Sequence, residues 1–165
     1  MTILSKSPDP FPPIRLRGHT LLCLQGFRGE GYSPGFVSNM ADIHETLAGD
    51  PNRQIEVIAS PDAVCGACPH QQGSGCTLNG ERSETEMAAQ DREVMRRLGL
   101  RVGDRLQWGE LLEWIQASVR GEQLSSICGN CRWLPLGYCG EGIDRLREVP
   151  VSNRIREGHR SERIR

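Results

Sequence analysis

One cysteine pattern occurs twice in this sequence, as CGACPHQQGSGC at residues 65–76 and as CGNCRWLPLGYC at residues 128–139. Each copy reads C-G-x-C, then seven residues, then a third cysteine. A C-x-x-C turn lets two sulfurs converge on one centre, and a third thiol can close the site from the loop that follows. The repeat therefore predicts a domain organised around a metal that thiolates hold.

All seven cysteines of the chain are candidate metal ligands: Cys23, Cys65, Cys68, Cys76, Cys128, Cys131 and Cys139. Each triplet supplies three thiolates, whereas a tetrahedral ion or a cubane cluster needs four ligands. Three arrangements are open. One centre could take four of the six repeated thiols, two centres could be completed by Cys23 and by a histidine or water, or one triplet could be purely structural.

An iron–sulfur cluster, with 4Fe–4S favoured, is the preferred occupant of these ligands, and zinc is the alternative. Two C-x-x-C knuckles of a zinc site are usually about 15–20 residues apart, but 59 residues separate Cys68 from Cys128 here. A simple zinc ribbon also leaves the third cysteine of each triplet unexplained. A disulfide framework is disfavoured because the number of cysteines is odd and we expect a reducing, cytoplasmic environment.

Composition limits the other classes of function. At 165 residues the chain is expected to form one domain, and its 37% hydrophobic content is modest, so a metal would supplement the core. No apolar run approaches the roughly 18 residues of a membrane span, and we expect a cytoplasmic protein with no membrane partner. The net charge of −1 gives no overall case for nucleic acid, although residues 150–165 are rich in arginine.

The N-terminal half predicts a strand–helix–strand unit. Residues 14–17 alternate apolar and polar side chains as a short strand does, and 19–25 form a short helix or turn. Ser33 and Pro34 begin a helix that ends at Gly49, and 54–59 read as a second strand. A right-handed crossover would make the two strands parallel.

The C-terminal half predicts further helices. Ser83 and Glu86 form a capping-box pattern before a helix that ends at Gly99, and two later helices run over 109–120 and near 143–149. We therefore expect a small, mainly helical α+β domain with three or four helices, a minimal two-stranded sheet and cysteine-rich metal-binding loops. The predicted organisation is a disordered leader at 1–13, the metal-binding domain at 14–149 and a disordered Arg-rich tail at 150–165.

Several residues near the cysteines carry chemistry that a metal site could use. His19 lies four residues before Cys23, on the same helical face, and is the better histidine candidate for completing a site. His70 is expected in an outer or solvent-facing role, and Trp133 would shield a cluster from water. Arg132 and Glu141 are further candidates, with these histidines, for contacting a substrate.

Four segments together resemble a known family: RLRGHTLLC at residues 15–23, GFRGEGYSPGFVSNM at 26–40, the Pro61-Asp62…Cys65 segment and CGNCRW at 128–133. They are similar to the bacterial and archaeal family known as domain of unknown function 1284, over roughly residues 14–147. That resemblance implies iron–sulfur binding and no assigned reaction. Relatives often carry His-His where this chain has His19-Thr20, and some lack a partner for Cys68, which makes Cys68 the least secure ligand.

From the sequence, the favoured set of four ligands is Cys128, Cys131 and Cys139, with Cys65 or Cys76 as the fourth. Three functions follow as hypotheses. The first is a non-catalytic iron–sulfur protein that carries electrons to a redox partner or senses redox state. The second is an enzyme whose 4Fe–4S cluster, held by three cysteines, leaves one iron open. The third is a zinc-stapled binding module whose Arg-rich tail touches nucleic acid.

Overall fold

The structure is a computed structural model that describes residues 10–73, 75–129 and 131–148. Most of the predicted leader, residues 1–9, and the whole predicted Arg-rich tail lie outside the described residues, as do Ser74 and Asn130. The predictions for the leader and the tail therefore stay predictions. Within the described part of the chain, none of the helices combines the length and the apolar character that crossing a bilayer requires.

The fold contains a three-stranded sheet with the strand order β1-β2-β5. Strand β1 (Ile14–Arg17) pairs in parallel with β2 (Gln54–Ile58), and β2 pairs antiparallel with β5 (Arg105–Gln107). The parallel pairing confirms the predicted crossover between the first two strands. A separate two-stranded hairpin, β3 (Gln71–Gln72) with β4 (Gly75–Cys76), carries the third cysteine of the first triplet.

The described residues form six α-helices, which make the domain mainly helical as predicted. They are α1 (Gly18–Gly26), α2 (Pro34–Gly49), α3 (Ser83–Leu98), α4 (Trp108–Ser118), α5 (Leu124–Ile127) and α6 (Tyr138–Glu148).

Two counts in the prediction were too low. The sheet has three strands instead of two because β5 is only three residues long and cannot show a strand alternation. The described residues hold six helices instead of three or four, since the sequence allowed either a helix or a turn over 19–25 and the four-residue α5 is too short for a helical repeat to stand out. The fold class itself, a small mainly helical α+β domain, is confirmed.

The starts of α2 and α3 are stabilised in different ways. At α2 the Ser33 hydroxyl accepts a hydrogen bond from the Phe36 backbone N–H at 3.1 Å, as the N-cap pattern predicts. At α3 the predicted capping box does not form. Ser83 is fully buried within the helix, and its hydroxyl hydrogen-bonds the Cys76 sulfur at 3.4 Å instead. A contact with the cysteine hairpin thus replaces a local cap.

Helix α1 packs between α3 and α6, and this arrangement positions the cysteines. Its apolar residues Leu21, Leu22 and Leu24 are almost fully buried in the core. The β1 residue Leu16 is fully buried in the same cluster. Because α1 is surrounded by other elements, the polar residues along it can contact several of those elements.

Candidate metal centre

The second cysteine triplet lies between α5 and α6. The Cys128 backbone N–H donates to the Leu124 carbonyl at 2.7 Å and so extends the end of α5. The Cys131 N–H donates to the Cys128 carbonyl at 2.8 Å, and the Leu134 N–H donates to the Cys131 carbonyl at 3.2 Å. These successive turns hold the C-x-x-C pair in a compact loop, as the spacing predicts for a metal-binding knuckle.

Close packing of α1 on α6 brings Cys23 to this triplet. A Cβ atom on Gly26 would lie 2.4 Å from the Cys139 Cα, and one on Gly142 would lie 1.9 Å from the Gln25 carbonyl oxygen. Both distances are too short for any side chain, so glycine is required at this helix crossing. Cys139 in the first turn of α6 thereby faces the helix that carries Cys23.

The four thiols of this group interact electrostatically. Burial raises the pKa of the Cys23 thiol well above its ordinary value, and Cys139, Cys131 and Cys128 raise it further. Burial likewise raises the pKa of Cys139 to about 12, with added contributions from Cys131 and Cys128. If all four were ionised, these thiolates would repel one another, and a bound cationic centre would remove that repulsion. We call Cys23, Cys128, Cys131 and Cys139 the thiol quartet.

One side chain of α3 contacts the quartet directly. Gln90 hydrogen-bonds the Cys128 sulfur and lowers the pKa of that thiol, although burial, the larger effect, raises it overall. Cys128 is 7% exposed. Hydrogen bonds to sulfur and exclusion of water are the two features by which a protein adjusts a thiolate-bound centre.

The first triplet occupies the loop after β2 and the hairpin. Cys65 begins a 3₁₀ turn, Cys65–Ala67, and the Cys68 N–H closes it by donating to the Cys65 carbonyl at 3.0 Å. Cys76 lies on β4, where the hairpin turn uses a positive φ of 54° at Gly73. Burial raises the pKa of Cys68, and Cys76 raises it further, which identifies these two thiols as neighbours.

Asp62 ties this loop to the sheet. Its Oδ1 accepts the backbone N–H groups of Val64 at 3.0 Å and Cys65 at 3.1 Å, while its Oδ2 accepts the N–H of Arg17 at 2.8 Å. Burial, with Asp62, raises the pKa of the Cys65 thiol to about 12, while the Asp62 backbone and the charge of Arg17 act in the opposite direction. The guanidinium Nη1 of Arg17 lies 3.9 Å from the Cys65 sulfur.

A buried ion network lies beside Cys65 of the first triplet. Arg17 is 1% exposed and Asp91 is fully buried, and the Arg17 Nε donates to Asp91 Oδ2 at 2.8 Å. The Arg17 Nη2 donates to both carboxylate oxygens of Glu84 at 3.0 Å. Burial alone lowers the pKa of Arg17, but the two carboxylates outweigh it and leave that pKa above its ordinary value. Arg17 therefore stays charged.

The same carboxylate orients His19. Asp91 Oδ1 accepts the His19 backbone N–H at 3.0 Å and contacts the ring Nδ1 at 2.7 Å. Because the carboxylate of Asp91 pairs with Arg17, it acts as the acceptor toward Nδ1, and Nε2 lies on the opposite side of the ring. Carboxylate–histidine pairs of this kind orient imidazoles in metal and catalytic sites. Among the described residues Nε2 has no hydrogen-bond partner.

An aromatic cluster connects the two cysteine triplets. The Tyr32 ring lies 4.8 Å from that of Trp133, 5.3 Å from that of Phe36 and 5.0 Å from that of His70, measured between centroids. Burial raises the pKa of the Tyr32 hydroxyl, and nearby cysteines raise it further. Trp133 thus packs against Tyr32 and Phe36, and His70 packs edge-on against the Tyr32 ring, while the shielding of a cluster by Trp133 stays a prediction.

Two cavities adjoin these residues. A cavity of about 80 Å³ is lined by all three cysteines of the first triplet, and one of about 360 Å³ is lined by Cys128 and Cys131 of the second. Both are also lined by Cys23, His19, Tyr32 and Trp133. The two triplets are far apart in sequence, but each adjoins a cavity that Cys23 and His19 of α1 also line.

All seven cysteines are free of disulfide bonds. Within the described residues, no group of three or more His, Cys, Asp or Glu side chains is arranged to hold a metal ion. Of the polar candidates, His19 and Arg132 line the larger cavity, whereas Glu141 forms an ion pair with Arg28.

Sequence analysis missed the residues of α3 that support the site, Glu84, Gln90 and Asp91. For Asp91 a signal exists in the sequence. It follows Met87 by four residues and precedes Val94 by three, so a carboxylate occupies the apolar face of an amphipathic helix. A charge at such a position must have a buried partner.

Comparison with known proteins gives one result. The searches of curated proteins and of solved structures returned no match. The sequence profile of the family described as "Protein of unknown function (DUF1284)" matches residues 31–137, a region that contains the first triplet, Cys128 and Cys131. Because that region is more than half of the chain, the protein belongs to the DUF1284 family.

Proposed function

We propose that this protein binds a 4Fe–4S cluster through the thiol quartet and acts in the cytoplasm as an electron carrier or redox sensor. The observation that supports this proposal is the convergence of four thiols from three separate parts of the chain, helix α1, the loop after α5 and helix α6. Four thiolates form the usual ligand set of such a cluster. The proposal names Cys23 as the fourth ligand, in place of Cys65 or Cys76.

The surroundings of the quartet suit this group. Cys128 is buried, Gln90 donates a hydrogen bond to its sulfur, and Tyr32 and Trp133 line the adjoining cavities. When bound, the cluster would accept and release one electron at a time. The chain's own residues would supply the thiolates, exclude water and, through Gln90, stabilise the more negative state.

An enzyme with an open iron site is the second candidate, and the first triplet favours it. With Cys23 assigned to the quartet, Cys65, Cys68 and Cys76 are three thiols around the 80 Å³ cavity, which His19 and Arg17 also line. Three thiolates would leave one iron of a cubane cluster free to bind a ligand. The zinc-stapled module with an Arg-rich tail depends on residues 150–165, which lie outside the described residues.

Serine substitutions test which of Cys23, Cys65 and Cys76 is the fourth ligand. Each of Cys23→Ser, Cys65→Ser and Cys76→Ser is purified anaerobically, and iron and acid-labile sulfide are determined per chain. The proposal expects Cys23→Ser to lose the quartet's cluster, while the other two variants keep about four irons and four sulfides. Full iron content in Cys23→Ser, with loss in Cys65→Ser or Cys76→Ser, would contradict it.

A further inference from the structure

The larger cavity beside the quartet has polar groups that the proposed cluster does not use. Its volume of about 360 Å³ exceeds what four irons and four sulfides occupy, and it lies within the usual range for small-molecule sites. Cys23, Cys128 and Cys131 line one part of it. Arg132, Glu86, Ser125 and other polar residues line the rest.

Arg132 provides a positive charge at this cavity. Its guanidinium lies 6.0 Å from the centroid of the Tyr32 ring, a cation–π contact that restrains it. Within the described residues, its side chain has no hydrogen bond or ion pair. Arginine binds carboxylates through two parallel hydrogen bonds, so an anionic ligand would complete its contacts.

His19 provides an oriented acceptor at the same cavity. Its ring is held by Asp91, its side chain is 19% exposed, and Nε2 is the nitrogen left for a ligand. With Nδ1 donating to Asp91, a neutral imidazole has its acceptor at Nε2, so the ligand group that matches it is a donor. A hydroxyl or an ammonium group meets that requirement, and Glu86 on the cavity wall would add to the attraction for ammonium.

We infer that this cavity binds a small carboxylate with a hydrogen-bond donor on the adjacent carbon, which is a 2-hydroxy acid or a 2-amino acid. Arg132 pairs with the carboxylate, and His19 accepts a hydrogen bond from the donor. This inference rests on the proposed function, because the quartet that would hold the cluster forms part of the cavity wall. The ligand would therefore lie next to the redox centre.

Calorimetric titration of the full chain, purified anaerobically with its iron content determined, tests the inference. The probes are L-lactate, L-alanine, propionate and lactamide. Lactate or alanine should bind about tenfold more tightly than propionate, because propionate leaves Nε2 without its partner. Lactamide, which has the donor but no charge, should also bind about tenfold more weakly. Tighter binding of alanine than of lactate would identify the amino acid as the ligand.

Two variants assign the contacts. Arg132→Gln should weaken binding of the acid about tenfold, while Arg101→Gln, an exposed arginine outside the lining of the cavity, should leave it unchanged. His19→Asn keeps an amide donor near the position of Nδ1 and removes Nε2. It should therefore abolish the preference for lactate or alanine over propionate, and it should leave the fold intact because the contact with Asp91 remains.

The inference is overturned if neither acid binds at millimolar concentration, or if propionate or lactamide binds as tightly as lactate and alanine. It is also overturned if Arg132→Gln binds as the unsubstituted protein does. Iron content separates this result from the proposed function. A protein with a full cluster and no binding refutes only the ligand site, and an iron-free protein that binds lactate refutes only the cluster.

Discussion

Replacing Asp91 with Asn tests a fully buried carboxylate that bonds both Arg17 and His19. The carboxylate accepts hydrogen bonds from Arg17 Nε at 2.8 Å and from the backbone and ring nitrogens of His19 at 3.0 and 2.7 Å. The substitution keeps the shape of the side chain and removes its charge. Arg17, whose side chain is 2% exposed, then has Glu84 as its remaining ion-pair partner.

The expected cost follows from that burial. Removing one partner of a buried ion pair typically destabilises a protein by about 3–5 kcal/mol, because the other charge stays buried without compensation. For a chain of this size, that loss corresponds to a decrease in Tm of roughly 6–20 °C. It is a large part of a typical folding free energy of about 5–15 kcal/mol.

Urea unfolding under anaerobic conditions, followed by circular dichroism at matched iron content, measures this loss. Glu93→Gln is the matched control on the same helix, because Glu93 pairs with Arg96 and Arg97 at the surface and should change stability little. Adding Arg17→Met to Asp91→Asn should recover part of the stability, since the buried charge that retains only Glu84 as a partner is then gone. If Asp91→Asn unfolds at the same urea concentration as Glu93→Gln, the buried network contributes no such stability and the reasoning is refuted.

Three further predictions concern helix packing, capping and the metal. Gly142→Ala should destabilise by about 1–3 kcal/mol and lower the iron content, because its Cβ would overlap the Gln25 carbonyl; unchanged Tm and iron would contradict this. Ser33→Ala should cost about 1 kcal/mol in urea unfolding, because the Phe36 N–H loses its acceptor, and a cost near zero would show that this cap is unimportant. Removing the metal with a chelator should lower Tm and expose thiols to a disulfide reagent, because binding stabilises only the folded state; a Tm that does not respond would count against a structural metal.

Much of the fold could be predicted from local patterns. The Ser33-Pro34 start and the apolar repeat of α2 are short-range signals, and the strands Ile14–Arg17 and Gln54–Ile58 were found because they alternate or are rich in β-branched residues. The start of α3 at Ser83 was predicted correctly, but its capping box was not, because a tertiary contact from Ser83 to the Cys76 sulfur competes with local capping. Sequence spacing carries no information about that contact.

In the candidate site, too, some features could be predicted from the sequence and others depend on tertiary contacts. The two triplets are visible as a repeat, but the sequence does not reveal that Cys23 joins the second one. That proximity depends on Gly26 and Gly142, which let α1 and α6 approach more closely than any other residue pair allows. The role of Asp91 is equally non-local, since its partners on β1 and α1 lie more than 70 residues away in sequence.

The central claim is that the thiol quartet holds one iron–sulfur cluster, and the metal content of the unsubstituted protein tests it most directly. The chain is purified without oxygen, its visible spectrum is recorded, and iron, sulfide and zinc are determined per chain. The account predicts a brown protein with about four irons and four sulfides, which dithionite bleaches reversibly. A colourless protein that carries stoichiometric zinc and no sulfide would contradict the account.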